Sequence, residues 1–147
     1  MNDDFVDLLR ALAEAEARFL VVGAYALAIH GHPRATGDLD VWVEPTPENA
    51  DRVVRALQRF GAPLTDVTAA DFARPRLVYQ IGLPPRRIDV LTELTGLTFA
   101  EAWAERVRRS IAGLEVDVIG RSAYIRNKKA TGRPQDLADV ARLEGAP

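Results

Sequence analysis

Apolar positions along the chain follow two different periods, and the switches between them mark out the elements. Phe5, Leu8, Leu9 and Leu12 recur at helical spacing, with Asn2 or Asp3 placed to cap the first turn. Residues 19–22 form an apolar run that stops at Gly23 and reads as a buried strand; residues 24–30 then read as a helix closed by Gly31. Leu39, Val41 and Val43 alternate with Asp38, Asp40 and Trp42, the period of two expected of a strand. Thr46-Pro47 supplies a capping hydroxyl and a first-turn proline, Val53, Val54, Leu57 and Phe60 an apolar stripe, and Gly61 the end of that helix.

Further on, Thr68 with Asp71 and Thr98 with Glu101 have the spacing of capping boxes for two short helices. Residues 77–81 and 86–91 read as strands joined by Gly82-Leu83-Pro84-Pro85. Residues 107–111 and 114–119 read as a hairpin turning at Ala112-Gly113. A helix over 122–129 is broken by Gly132, and Pro134 opens a last helix expected to turn Leu137, Val140 and Leu143 inward. Helices and strands are intermixed, and some neighbouring strands are joined directly. That order predicts an α+β fold: one domain over 1–147, a mixed, mostly antiparallel sheet with flanking helices, and 120–147 as a C-terminal helical element packing on it.

Composition narrows the function. A length of 147 residues suits one core, and 27% charged residues beside 48% hydrophobic ones argue for a globular chain. A formal net charge of -2 offers no field for gripping long nucleic acid, so any such contact is local. The absence of cysteine removes disulfides, thiolate metal sites and cysteine nucleophiles, and fits a cytoplasmic location. The first seven residues hold Asp3, Asp4 and Asp7 and no Lys or Arg, which is not the charge pattern of a signal peptide. No apolar run approaches membrane-spanning length, so no membrane partner is expected.

The chemistry lies in the carboxylates. Asp38 and Asp40 are two apart on a strand, so both leave the same face while Leu39 and Val41 turn to the core. Two carboxylates that close repel unless a proton or cation sits between them, and Mg²⁺ is the hard ion suited to carboxylate, phosphate and water oxygens. Asp89 repeats the pattern between Ile88 and Val90. If its strand neighbours the first, three carboxylates can hold two Mg²⁺ ions roughly 3.5–4 Å apart, the arrangement used for in-line phosphoryl chemistry. An Asp-x-Asp pair by itself often only faces solvent or closes a turn. Position separates the chemistries: in haloacid dehalogenase-type phosphatases and in many glycosyltransferases the motif follows its strand, whereas here the apolar alternation follows Asp38.

Upstream, a buried strand, Gly23 and a helix start form an element whose free N–H groups and partial positive charge suit a phosphate chain. Gly23, then Asp38-Leu39-Asp40 after a helix and loop, then Asp89 on a later strand, resembles the signature of polymerase β-like nucleotidyltransferases. The stretch 22–43, with Arg34-Ala35-Thr36-Gly37-Asp38, looks like the small bacterial branch that includes the abortive-infection and toxin–antitoxin nucleotidyltransferases. The string Asn127-Lys128-Lys129-Ala130-Thr131-Gly132-Arg133-Pro134-Gln135-Asp136-Leu137-Ala138-Asp139 resembles that branch's C-terminal element. Alanine stands at position 24 where the superfamily usually has Gly or Ser, which removes a hydroxyl from the phosphate cradle and leaves the backbone N–H groups.

The resemblance implies an Mg²⁺-dependent transferase that moves a nucleoside monophosphate from an NTP such as ATP to a hydroxyl acceptor and releases pyrophosphate. It implies catalytic and metal-binding roles for Asp38, Asp40 and Asp89, with two ions. Gly23, Ala24, Arg34, Thr36, Lys129 and Arg133 are the nucleotide-binding candidates. The acceptor stays open among tRNA or other RNA, protein and small molecules; the small size suggests that a partner protein or second subunit supplies part of its site. The alternative from another class is a weakly active or inactive nucleotide-binding or regulatory module, such as one half of a toxin–antitoxin pair; Ala24 motivates it. His30 and His32 read as structural, Trp42 as packing, and Asp136 and Asp139 as capping or ion-pairing residues.

Overall fold

The computed structural model describes residues 1–32 and 37–145. Its elements in chain order are α1 (Asp3–Glu14), β1 (Phe19–Val22), α2 (Gly23–Ile29), β2 (Leu39–Val43), α3 (Pro47–Phe60), α4 (Ala69–Phe72), β3 (Val78–Ile81), β4 (Ile88–Leu91), α5 (Phe99–Ala104), β5 (Val107–Ile111), β6 (Leu114–Val118), α6 (Arg121–Thr131) and α7 (Pro134–Leu143). The helix starts are set by the polar residues that the sequence placed there. The Asn2 side chain accepts from the Phe5 N–H at 3.0 Å, and Thr46 from the Asn49 N–H at 3.3 Å. Thr68 with Asp71, and Thr98 with Glu101, close reciprocal capping boxes on α4 and α5.

The six strands form one sheet in the order β3-β4-β2-β1-β6-β5. Pairs β1–β2, β3–β4 and β5–β6 are antiparallel, while β2–β4 and β1–β6 are parallel, so the sheet is mixed with antiparallel pairings in the majority. The first of the three antiparallel pairs is connected through α2, the second by residues 82–87, and the third by a two-residue hairpin at Ala112-Gly113. In that hairpin both residues have positive φ, 52° and 80°, the twist that matches strand twist in a tight hairpin.

Alternation along the strands splits the residues between two faces. Leu39, Val41, Ile88 and Val90 are buried on the face covered by α1 and α3, which pack against each other. Trp42 points to the other face and meets Phe99 of α5 edge-on, centroids 5.2 Å apart, which settles it as packing. Asn49 is a buried polar residue that sequence patterning did not single out. Its side chain accepts from the Arg18 N–H at 2.7 Å and donates to the carbonyls of Arg18 and Glu44, both at 3.0 Å. It thereby ties the first turn of α3 to the start of β1 and the end of β2.

One expectation is corrected. Val140 and Leu143 of α7 are buried, but Leu137 is 49% exposed. The inward stripe of α7 runs through Asp136, Asp139, Val140 and Leu143 instead, because an ion-pair network takes the place of an apolar contact at its first turn.

Candidate active site

Three strand ends, those of the inner strands β1, β2 and β4, meet at one end of the sheet. β1 finishes where β2 begins, with Val22 opposite Asp40, and β4 begins beside β2, with Asp40 directly opposite Asp89. Register partners project to the same face, so the two carboxylates stand side by side. Asp89 is 8% exposed. Gly23 follows β1 with φ +67°, a conformation in which L side chains are strained, and a Cβ there would lie 2.2 Å from Asp40 Oδ2. Glycine is therefore required at this position twice over: by its backbone angle and by the carboxylate that presses against it.

Burial first, and Asp89 second through both charge and a shared hydrogen bond, push the Asp40 carboxyl up to about 6; Lys128 pulls it back and Asp38 adds to the rise. Burial and the neighbouring carboxylates together favour the neutral form of this carboxyl. The donor set is all oxygen, the preference of a hard divalent cation, and Gly23 keeps the approach to Asp40 Oδ2 clear of side-chain atoms. The chemistry of the donor set, all carboxylate oxygen, suits such an ion.

Asp38 precedes β2 and is placed by its neighbours. Gly37 lies so close to Pro85 that a Cβ would come 2.0 Å from the Pro85 carbonyl oxygen, and the Arg87 N–H donates to Asp38 Oδ1 at 3.2 Å. The Arg87 side chain then bridges the acids. Its Nε and Nη2 donate to the two oxygens of Asp89 at 2.9 and 3.3 Å, and Nη2 stands 3.5 Å from Asp38 Oδ2. The three aspartates do gather at one strand edge. Yet no group of three or more His, Asp or Glu among the described residues is closed around a cation position; Asp38 joins Asp89 through the guanidinium. Tyr25, in the first turn of α2, faces this group: burial first and Asp38 second raise its phenol above the ordinary value.

The C-terminal element brings Lys128, next to the Lys129 singled out from the sequence, within electrostatic reach of Asp40. Lys128 is the cation that acts on Asp40. Its ammonium is 3.6 Å from Asp136 Oδ1 and 5.3 Å from the Tyr124 ring centroid, and the side chain is only 14% exposed. Lys129 instead pairs with Glu144 at 3.2 Å, and Arg133 with Asp136 at 2.7 Å, both with largely exposed side chains. Helix α6 is held in register by Asn127, which donates to the Thr95 carbonyl at 2.9 Å, and by Gly96, which admits Ala130.

Ala24 stands in the first turn of α2, which carries no side-chain cap. Arg34 and Thr36 lie outside the described residues. His30 is structural, with Nε2 2.8 Å from the Ile119 carbonyl oxygen, tying the end of α2 to the strand behind it. Asp136 is the ion-pairing residue expected: Arg133 first, then Thr131 and Lys128, hold its carboxyl far below the usual carboxylate range, against the opposing pull of burial.

No family model matches the chain, and no curated protein sequence does so at a significant level. Solved structures do match. A protein from Thermotoga maritima described as a candidate nucleotidyltransferase aligns over 98% of this chain and 89% of its own, with a TM-score of 0.58 and 12% identity. The antibiotic-resistance factor ANT(2'')-Ia aligns over 95% of this chain and 80% of its own, with a TM-score of 0.60 and 15% identity. The lincomycin-bound lincosamide antibiotic adenylyltransferase LnuA aligns over 100% of this chain and 98% of its own, with a TM-score of 0.58 and 10% identity. At these identities the likeness is one of fold: the chain has the nucleotidyltransferase fold that its motif spacing predicted.

Proposed function

We propose that the chain is a divalent-cation-dependent nucleotidyltransferase that moves a nucleoside monophosphate from an NTP to a hydroxyl acceptor, with pyrophosphate as leaving group. The observation that carries this reading is the pairing of Asp40 with Asp89 beside Gly23. It puts a carboxyl with raised proton affinity, a second carboxylate and an uncapped helix start at one strand edge. The nucleotidyltransferase fold of the three solved structures supports it.

Asp38 and Asp40 are the residues that would hold Mg²⁺, with Asp89 completing the shell of a second ion. Bound there, the ions neutralise triphosphate charge and acidify the acceptor hydroxyl. The chain's own groups do the rest. The N–H groups of Ala24 and Tyr25 bind phosphate oxygens at the start of α2. Lys128, rather than Lys129, supplies positive charge to the phosphates from the α6 side. Asp89 takes the acceptor proton as the hydroxyl attacks the α-phosphorus. Positioning and charge neutralisation dominate in such a site, because the reacting phosphoryl group needs little covalent help.

Two of the structural neighbours are an antibiotic-resistance factor and a lincosamide antibiotic adenylyltransferase, which puts hydroxyl-bearing small molecules first among the acceptors to test here, ahead of tRNA and protein. The test is release of pyrophosphate from each NTP with Mg²⁺ and a panel of such acceptors. Release that disappears in Asp40→Asn supports the transferase. Tight NTP binding with no release under any acceptor supports the second reading, a nucleotide-holding module of the toxin–antitoxin kind. The feature that favours this alternative is Ala24, which brings no hydroxyl to the phosphates.

A further inference from the structure

We infer that the Arg87 guanidinium is a resident stand-in for the ion that needs Asp89, and that this ion binds only by displacing it. The inference rests on the metal-dependent reading above. Asp38, Asp40 and Asp89 bring three carboxylates together, and among the described residues the Arg87 guanidinium is the cation ion-paired with both Asp38 and Asp89. Its Nε and Nη2 fork onto Asp89 at 2.9 and 3.3 Å, and Nη2 also faces Asp38 Oδ2 at 3.5 Å. A forked guanidinium–carboxylate pair takes one lone pair on each oxygen of Asp89, the two between which a chelated cation would sit. A divalent ion makes carboxylate contacts at about 2 Å, so the two cations cannot share those lone pairs without strong repulsion.

The local geometry makes the exchange feasible. Arg87 sits two residues before Asp89, on the same face, and its side chain is 29% exposed, so the displaced guanidinium has a way to water. The bond from Arg87 to Asp38 Oδ1 at 3.2 Å is made by the backbone N–H. It survives the swing of the side chain and keeps Asp38 in place while the ion enters. Arg87 thus stabilises the metal-free site and competes with the metal for it.

The test is Mn²⁺ binding to the metal-free protein, followed by the electron paramagnetic resonance of free Mn²⁺, for wild type, Arg87→Met and Arg87→Lys. Removing a charge-assisted competitor should tighten Mn²⁺ binding about tenfold in Arg87→Met, with Arg87→Lys between. A second measurement needs no variant. In wild type the Arg87 Nε–H nuclear magnetic resonance signal should move from its bonded position to that of a solvent-exposed arginine as Mg²⁺ saturates the site. Wild type that binds Mn²⁺ while Arg87→Met binds it equally or more weakly overturns the inference and leaves the metal reading standing, as does an Nε–H signal unmoved by saturating Mg²⁺. No Mn²⁺ binding in any of the three proteins overturns both.

Discussion

Asp40 and Asp89 face each other across the parallel β2–β4 ladder, while the Arg87 guanidinium is committed to Asp89 and Asp38. Asp40 is therefore the group whose ionisation works against the metal-free fold. Its carboxyl is raised to about 6 in the folded chain, above the value of about 3.9 in an unfolded one. The sign follows. Below about pH 4 both states are protonated and there is no penalty; between about 4 and 6 the penalty grows; above 6 it is complete, at about 2–3 kcal/mol. Asp40→Asn should be more stable than wild type by about 2 kcal/mol at pH 7.5 without divalent cations, and equal to it at pH 4. Urea melts at the two pH values check this, and a variant less stable than wild type at pH 7.5 would refute it.

Gly23→Ala tests the contact between the end of β1 and the carboxylate. The new Cβ would meet Asp40 Oδ2 at 2.2 Å on a backbone held at φ +67°. The strained angle costs about 1 kcal/mol or more, and the clash forces Asp40 off its position. Thermal melting should drop, and the stabilisation by Mg²⁺ expected of wild type should be lost. Mg²⁺ protection equal to that of wild type would show that Asp40 does not sit against Gly23.

Lys128→Met and Lys129→Met form a matched pair on adjacent positions. Lys128 acts on Asp40, whereas Lys129 is turned to Glu144. Lys128→Met should weaken NTP binding by about tenfold or more, the order of one charge-assisted contact, while Lys129→Met should change it less than about twofold. Equal effects, read by isothermal titration, would remove the distinction drawn between them.

Asp136 is the opposite case to Asp40. Its carboxyl is held low by Arg133, Thr131 and Lys128, so it contributes stability above the unfolded value of about 3.9 that is lost as pH falls below it. Asp136→Ala leaves Lys128, 14% exposed, without this partner and should destabilise the chain by about 2–4 kcal/mol at pH 7, with a loss that shrinks gradually as pH falls below the usual carboxylate range, because the folded carboxyl stays ionised well below it. A pH-independent loss would mean that packing, not charge, holds the α6–α7 corner.

Much of this was legible in local patterns and the remainder was not, for one physical reason. Strand β1, strand β2 and helix α3 announce themselves through alternation, caps and terminal glycines, all signals within a few residues. The gathering of Asp40 and Asp89 at one edge followed from a motif spacing that resembles a known arrangement. Arg87 escaped notice because its role depends on the parallel β2–β4 pairing, a contact between residues some fifty positions apart. Lys128 left a fainter trace. It lies four residues after Tyr124 on α6, and Ala123, Tyr124 and Asn127 mark the buried face, so tracking that face would have chosen it over Lys129. Leu137 misled because the inward stripe of α7 contains two aspartates, which an apolar count cannot see.

A structure of the chain with Mg²⁺ and a non-hydrolysable NTP tests the metal-and-nucleotide reading most directly. The expected result is a cation ligated by Asp38 and Asp40, with the phosphates against the N–H groups of Ala24 and Tyr25. Nucleotide bound away from this strand edge, with Asp38 and Asp40 free of metal, would contradict it.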